Sequence, residues 1–291
     1  MLAKFRSTRN MLAAPLVYLL GKVLNNNKLL QSAIAYDSQF MRPFSTNLHQ
    51  SGRNTDTFSQ FSQAAKLCAL AKRDIDDILR DFFPDLNGQL LQDAVCILLH
   101  QAKRGGYFVE VGVGDGKKYS NSMVLEKRLG WQGLLCEPAK MFHESIMSTR
   151  SAILDRRAIS DTSGMLLKFQ QNENMGEYSG FSDSISMRMD DPFTQYDVET
   201  VSFDNLLEQH RAPDEIDFIS IDTEGSELNV LKGLCLKKRR VWLFSIEHNF
   251  DQNRTDAYKN LLEPLGYRRI LSEISAFDAW YVHRDLPDPC F

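Results

Sequence analysis

From residue 107 onward the chain alternates short β-rich apolar runs with stretches of helical apolar spacing. YFVEVG (107–112), LLCEP (134–138), a run within 152–160, VETVSF (198–203), IDFISID (216–222) and VWLFSIEHN (241–249) read as strands. Between them, 122–129, a segment from about 139, DNLLEQH (204–210) and SELNVLKGL (226–234) read as helices. AYKNLLEPLGY (257–267) reads as a helix kinked at Pro264, and MLLKFQ (165–170) as an extra hairpin strand. YRRILSEI (267–274) and AWYVHRD (279–285) close the chain as an antiparallel pair. Such alternation predicts an α/β protein with a doubly wound, mostly parallel sheet. Ligands of these sheets bind beyond the carboxyl ends of the strands, where Glu110, Glu137, Asp222 and the segment 247–249 fall.

Upstream the pattern differs. Residues 64–83 and 90–100 carry helical spacing, the first ended by Pro84, and 51–57 reads as a loop. The first 36 residues hold Lys4, Arg6, Arg9, Lys22 and Lys28 and no acid. The apolar stripe MLAAPLVYLLGKVL (11–24) is too short for a membrane span and lacks a small-residue cleavage site. Three readings stay open for it: a helix packing on the domain or a partner, a weak membrane-surface contact, or an organellar transit peptide processed near MRPFS (41–45). The division expected is a helical extension over 1–85 and one α/β domain over 86–291.

Composition narrows the class only slightly. The 291 residues are 43% hydrophobic and 25% charged, ordinary for a globular domain, and a net charge of −4 gives no pull toward nucleic acid. Five widely spaced cysteines without a CxxC pair argue for a reducing, cytoplasmic setting and against a zinc or disulfide framework.

Chemistry concentrates in YFVEVGVGDGKKYSN (107–121), where Gly112, Gly114 and Gly116 follow a strand. No Walker loop is present, and the third glycine of a dinucleotide fingerprint would fall at Lys117. Lysine there disfavours an NAD-linked oxidoreductase, because close helix–strand packing wants no side chain. The spacing is instead ExGxGxG, and the acid Glu110 suits an ammonium group and repels a pyrophosphate. Glu137 closes the second strand, where doubly wound nucleoside sites place an acid against ribose hydroxyls. Ribose, ammonium and no phosphate together describe S-adenosylmethionine.

The segments LLQDAVCILL, KRGGYFVEVGVGDG, YSNSMVLEKRLGWQGLLCEPAK, TVSFDNLLEQHRAPDEIDFISIDTEGSELNVLKG, FSIEHN and LGYRRILSEISAFDAWYV run in order over about 90–282. In them the chain resembles the FkbM-type S-adenosylmethionine-dependent methyltransferases. The resemblance implies a class I methyltransferase fold: a Rossmann-like, doubly wound, mostly parallel sheet of seven strands. It also implies methylation of a hydroxyl on a sugar, glycan or natural-product acceptor. The cofactor is expected at Glu110, Gly112, Gly114, Asp115, Gly116, Asn121, Glu137, Pro138 and Asp222.

For a base, the candidates are Asp222, Glu224, Glu247 and His248, with Asp222, Glu224 and His248 expected to be catalytic. Glu227 reads as a helix-start acid. Asp222 with Glu247, His248 or Asn249 offers donors for Mg²⁺, but these acids look scattered, and the expectation is a site without metal. Phe277, Asp278 and Trp280 cover the acceptor pocket or pack the core, and 171–197 is long enough to form a mobile lid. The rival to an enzyme is a cofactor-binding or interaction module of the same fold. N-methylation lacks the Asn/Asp-Pro-Pro-aromatic motif that amine and amide methyltransferases use.

Overall fold

In the computed structural model, residues 63–291 are described apart from 65, 69, 73, 74, 182–191, 288 and 289. The expectations for the basic apolar stripe, the processing motif and the loop at 51–57 lie outside the described residues, as does the middle of the expected lid. Among the described residues no helix is long and apolar enough to cross a membrane.

Seven strands form the main sheet: β1 Tyr107–Val111, β2 Gln132–Cys136, β3 Ile153–Asp155, β8 Glu215–Ile221, β9 Arg240–Glu247, β10 Tyr267–Ile270 and β11 Asp278–His283. Their order is β10-β11-β9-β8-β1-β2-β3. The five from β3 to β9 run parallel, whereas β11 is antiparallel to both β9 and β10. The order reverses beside β1, which pairs with β2 on one side and β8 on the other, so a crevice opens at its carboxyl end.

Alternation along each strand feeds two cores. Phe108, Phe218 and Leu243 pack on one face with α1 Asp76–Phe82, α2 Gln92–Leu99 and α3 Met123–Leu129. Val109, Ile219 and Phe244 pack on the other with α5 Phe203–Gln209, α6 Glu227–Lys232 and α7 Gln252–Leu262. A short α4, His143–Thr149, lies beside β3. Each fully buried side chain contributes about 1.5–3 kcal/mol. On the first face the apolar row ends in Glu110, Ser220 and Ser245, aligned across three strands by register. That polar end borders the crevice. Ala64, Leu67, Ile75, Leu79 and Phe82 join the same core cluster, which therefore continues across residue 85.

Three expectations change. The helix expected over 64–83 breaks after residue 70, where the Lys72 N–H donates to the Cys290 carbonyl (2.8 Å) and the chain turns to meet its own C-terminus. Pro264 does not kink α7: the helix stops at Leu262, and the proline opens a 3-10 turn, Glu263–Leu265, as its missing N–H requires. The run within 152–160 splits between two sheets. Its second half, β4 Ala158–Ser160, joins β5 Leu166–Asn172, β6 Gly180–Phe181 and β7 Phe193–Ser202 in a four-stranded sheet of order β4-β7-β5-β6. The described flanks of the expected lid are thus strands and a turn, held by seven β5–β7 pairings.

Candidate functional site

The crevice is a cleft of about 550 Å³ whose floor is the turn after β1 and whose wall includes Phe142, Tyr178 and Phe181 near the second sheet. Gly112 has φ +80, and a Cβ there would run into the Asp222 carbonyl oxygen. Only glycine lets the β1 and β8 ends close this tightly. Gly114 (φ +57) has nothing within 4 Å of its Cβ position and faces open cleft. Gly116 packs instead against Ile146 and Arg150, and the Asp115 carboxylate is spent on the Lys117 and Lys118 N–H groups. These two shape the turn without lining the cleft, a correction to their expected cofactor contact.

Glu110 is buried and lines the cleft, yet its carboxylate is committed to the loop. It accepts from the Asn121 N–H (2.7 Å) and from the Ser120 and Ser122 hydroxyls. Arg150 donates to both of those hydroxyls, to the Gly116 carbonyl and to Glu126. The network locks the entry to α3, where the Ser120 hydroxyl accepts from the Ser122 and Met123 N–H groups and the Ser122 side chain makes no cap bond. In the same loop, Asn121 borders the cleft, and its buried Oδ1 has no hydrogen-bond partner.

Glu137 accepts from the N–H groups of Val113, Gly114 and Ala139 at 2.8–2.9 Å. The glycine turn therefore already holds a carboxylate where a phosphate-binding loop would hold a phosphate. Burial lifts this carboxyl to about 7, against the opposing pull of those three amides. Pro138, next in sequence, also lines the cleft.

Opposite the glycine turn the acids converge. Oxygens of Asp222, Glu224 and Glu247 lie within 4.8 Å of one another, so the expectation of scattered acids is corrected. Parallel pairing explains it: Ile221 lies beside Ile246, which sets the following residues, Asp222 and Glu247, level at adjacent strand ends. Glu224 reaches them from a loop residue with φ +55. Desolvation in the cleft raises all three carboxyls, with mutual repulsion adding to it; Glu224 is pushed up to about 7. Glu227 behaves as expected of a helix-start acid, accepting from Thr223 and Gly225 N–H and pairing with Arg254.

His248 does not face the cleft. Its Nδ1 accepts from the Phe250 N–H (3.1 Å), which leaves Nε2 to donate to the Asp278 carbonyl (3.0 Å). With both nitrogens engaged and burial lowering its basicity, the ring braces the β9–β11 end and offers no proton acceptor, contrary to its expected catalytic role. Asp278 and Trp280 are likewise interior: the Asp278 carboxyl accepts from Gln92, Ser245 and Trp280. Phe277 does border the cleft. The wall residues Met175, Tyr178 and Phe181 fall within the segment 171–197 expected over the acceptor, but sequence reasoning did not single them out, because a two-residue strand and a single turn leave no periodic trace.

Strand order and floor together define a class I S-adenosylmethionine-dependent methyltransferase. The family described as Methyltransferase FkbM domain matches residues 110–269, more than half of the chain, and the chain belongs to that family. No curated protein matches it. Among solved structures, precorrin-6y C5,15-methyltransferase from Geobacter metallireducens GS-15 is similar at 9% identity and a TM-score of 0.37, over 67% of this chain and 86% of that one. The METTL16 methyltransferase domain follows at 14% identity and 0.41, over 80% and 82%. A mutant of MtNAS gives 12% and 0.36, over 90% and 78%. Scores this low carry no argument.

The floor fits the cofactor. Asn121, a cleft residue, carries an unpartnered buried acceptor, Gly114 leaves clear space, and Glu137 fixes the turn beneath. Replacing Glu137 by Ala strands three backbone donors. The expected result is S-adenosylmethionine binding weaker by about 10–100-fold, equivalent to about 1.5–3 kcal/mol, read as a dissociation constant.

Proposed function

We propose that the chain transfers the methyl group to a hydroxyl oxygen of a small-molecule or glycan acceptor, such as a sugar or a hydroxylated natural product. The observation that carries this reading is the convergence of Asp222, Glu224 and Glu247 on the cleft opposite the glycine floor. S-adenosylmethionine supplies an electrophilic methyl on a sulfonium. What the protein must add is an oriented nucleophile and a place for its proton. Asp222 lines the cleft directly behind the Gly112 turn, which puts a carboxylate beside the floor where a hydroxyl can hydrogen-bond to it. A hydroxyl gains nucleophilicity from such an acceptor. An amine gains less, because the acids of the cleft favour its protonated form and keep the lone pair occupied. Aromatic side chains of Tyr178 and Phe277 offer apolar faces of the kind that stack on sugar rings. Five free cysteines are in keeping with a reducing compartment.

The test is a panel of mono- and oligosaccharides, polyols and matched amines incubated with isotopically methyl-labelled cofactor, with the product bond located by NMR. The expected product is a methyl ether. Asp222→Asn is expected to lower the rate by about 10²–10⁴-fold. Label found only on nitrogen or carbon would contradict the reading.

A further inference from the structure

We propose that Asp222, Glu224 and Glu247 form a binding site for one divalent cation. Each contributes a carboxylate oxygen, and the three oxygens lie within 4.8 Å of one another. A second observation singles them out from the other acids of the cleft. Glu247 is only 7% exposed, yet its Oε2 has no hydrogen-bond donor. Among the described residues, no ion pair or hydrogen bond reaches the Asp222 or Glu224 carboxylate either.

The neighbouring acids are treated differently. Glu137 is met by three backbone N–H groups, Glu110 by one N–H and two hydroxyls, and Glu227 by Thr223, Gly225 and Arg254. The fold therefore satisfies buried acids with protein donors where it uses them structurally. Glu247 is buried, Glu224 half-buried and Asp222 open to the cleft; an uncompensated buried carboxylate carries a penalty of several kcal/mol, and crowding like charges beside it adds to that. One cation answers all three at once.

The donor set selects its type. Three carboxylate oxygens with no sulfur or imidazole suit the hard ions Mg²⁺, Mn²⁺ and Ca²⁺. Oxygens on opposite sides of Ca²⁺ stand about 5 Å apart, and about 4 Å apart around Mg²⁺. Only two of three oxygens can stand opposite each other, so the three side chains close somewhat around any of these ions, least for Ca²⁺. Asp222 and Glu224 line the cleft, so coordination positions not taken by protein face solvent or an acceptor oxygen. A bound ion would place positive charge beside the glycine floor, but its binding requires neither cofactor nor acceptor.

The experiment uses the full chain stripped with EDTA and titrated in a calorimeter with MgCl₂, MnCl₂ or CaCl₂ alone. Melting curves are taken in parallel. One saturable site is expected, with a dissociation constant in roughly the 10⁻⁶–10⁻³ M range. Glu247→Gln and Glu224→Gln are each expected to weaken it by about tenfold or more. In EDTA, Glu247→Gln is expected to melt no lower than the parent, because an unpaired acid crowded by two others is replaced by a neutral amide, and to lose the metal-induced rise. Asp214→Asn, at an exposed acid elsewhere, is expected to leave binding unchanged. Should Glu247→Gln fail to fold, Glu224→Gln at its half-buried loop position decides alone. Absence of saturable binding for all three ions overturns the proposal, as does parental affinity in Glu224→Gln. Methyl transfer is not part of the readout, so failure of the hydroxyl assignment leaves this result standing.

Discussion

Gly112→Ala is expected to abolish S-adenosylmethionine binding and to lower the melting temperature by roughly 5–20 °C. Two separate costs meet at this residue. Its φ of +80 lies where a Cβ adds about 1–2 kcal/mol of backbone strain. The added methyl also runs into the carbonyl oxygen of Asp222, and forced overpacking of that kind costs typically about 1–3 kcal/mol. Relief by movement is blocked, because the Asp222 N–H donates to the Val111 carbonyl and the Gly112 N–H to Cys136. Both strand ends would have to separate. Gly114→Ala is the control: at φ +57 it carries a similar backbone strain of about 1–2 kcal/mol, but its Cβ meets nothing within 4 Å, so it is expected to lose less stability than Gly112→Ala while the methyl intrudes on the cleft. Thermal unfolding with a parallel cofactor titration distinguishes the pair. Equal melting temperatures for the two variants would contradict the packing argument.

Arg150→Met is the second large effect, at about 3–5 kcal/mol of destabilisation. The guanidinium is fully buried, bonded to Glu126 at 2.8 Å and 3.8 Å from Glu110. Methionine fills much of the space but removes the buried cation beside Glu110 and leaves Glu126 with only the partly exposed Lys127 as counter-charge. The acid limb of stability should change as well. Burial alone would raise Glu126, but the Ser151 N–H and hydroxyl together with Arg150 outweigh it and hold the carboxyl at about 2, below the ordinary 4.5. A depressed folded-state value contributes stability above about pH 4.5 that is lost as the pH falls toward 2. Without Arg150 the depression shrinks, so urea unfolding between about pH 6 and pH 3 should show a shallower slope than in the parent. An unchanged slope would mean that Ser151 and Lys127 set the Glu126 value without Arg150.

Much of this site is legible in the sequence where one residue type has one physical use. The glycine spacing after β1 and the acid closing β2 specify the floor, and Glu227 at a helix start behaves as such acids do. The helical boundary at Pro264 is harder to read, because a proline that ends a helix and one that kinks it differ only in the residues beyond it; here Gly266 at φ +95 ends the segment. His248 illustrates another limit. Its side chain follows a strand as a catalytic histidine would, and only the positions of the Phe250 N–H and the Asp278 carbonyl reveal that both nitrogens are taken.

The acid cluster is closer to legible than it looks. ISID and FSIE end two neighbouring strands with the same alternation, and a parallel register matching serine to serine brings Asp222 beside Glu247. The second sheet is legible only in part, in VETVSF and in MLLKFQ, which forms most of β5 and pairs antiparallel with β7. Its longest strand, Phe193–Ser202, is exposed along its first half, so no buried stripe marks it.

The central claim is that the turn from Gly112 to Gly116, backed by Glu137 and Asn121, is the floor of an S-adenosylmethionine site. Calorimetric titration of the purified chain with S-adenosylmethionine, and separately with NADH, tests it most directly. One cofactor per chain with sub-millimolar affinity, and no measurable heat from NADH, is the result the site predicts. No S-adenosylmethionine binding at sub-millimolar concentration in a folded protein would contradict it.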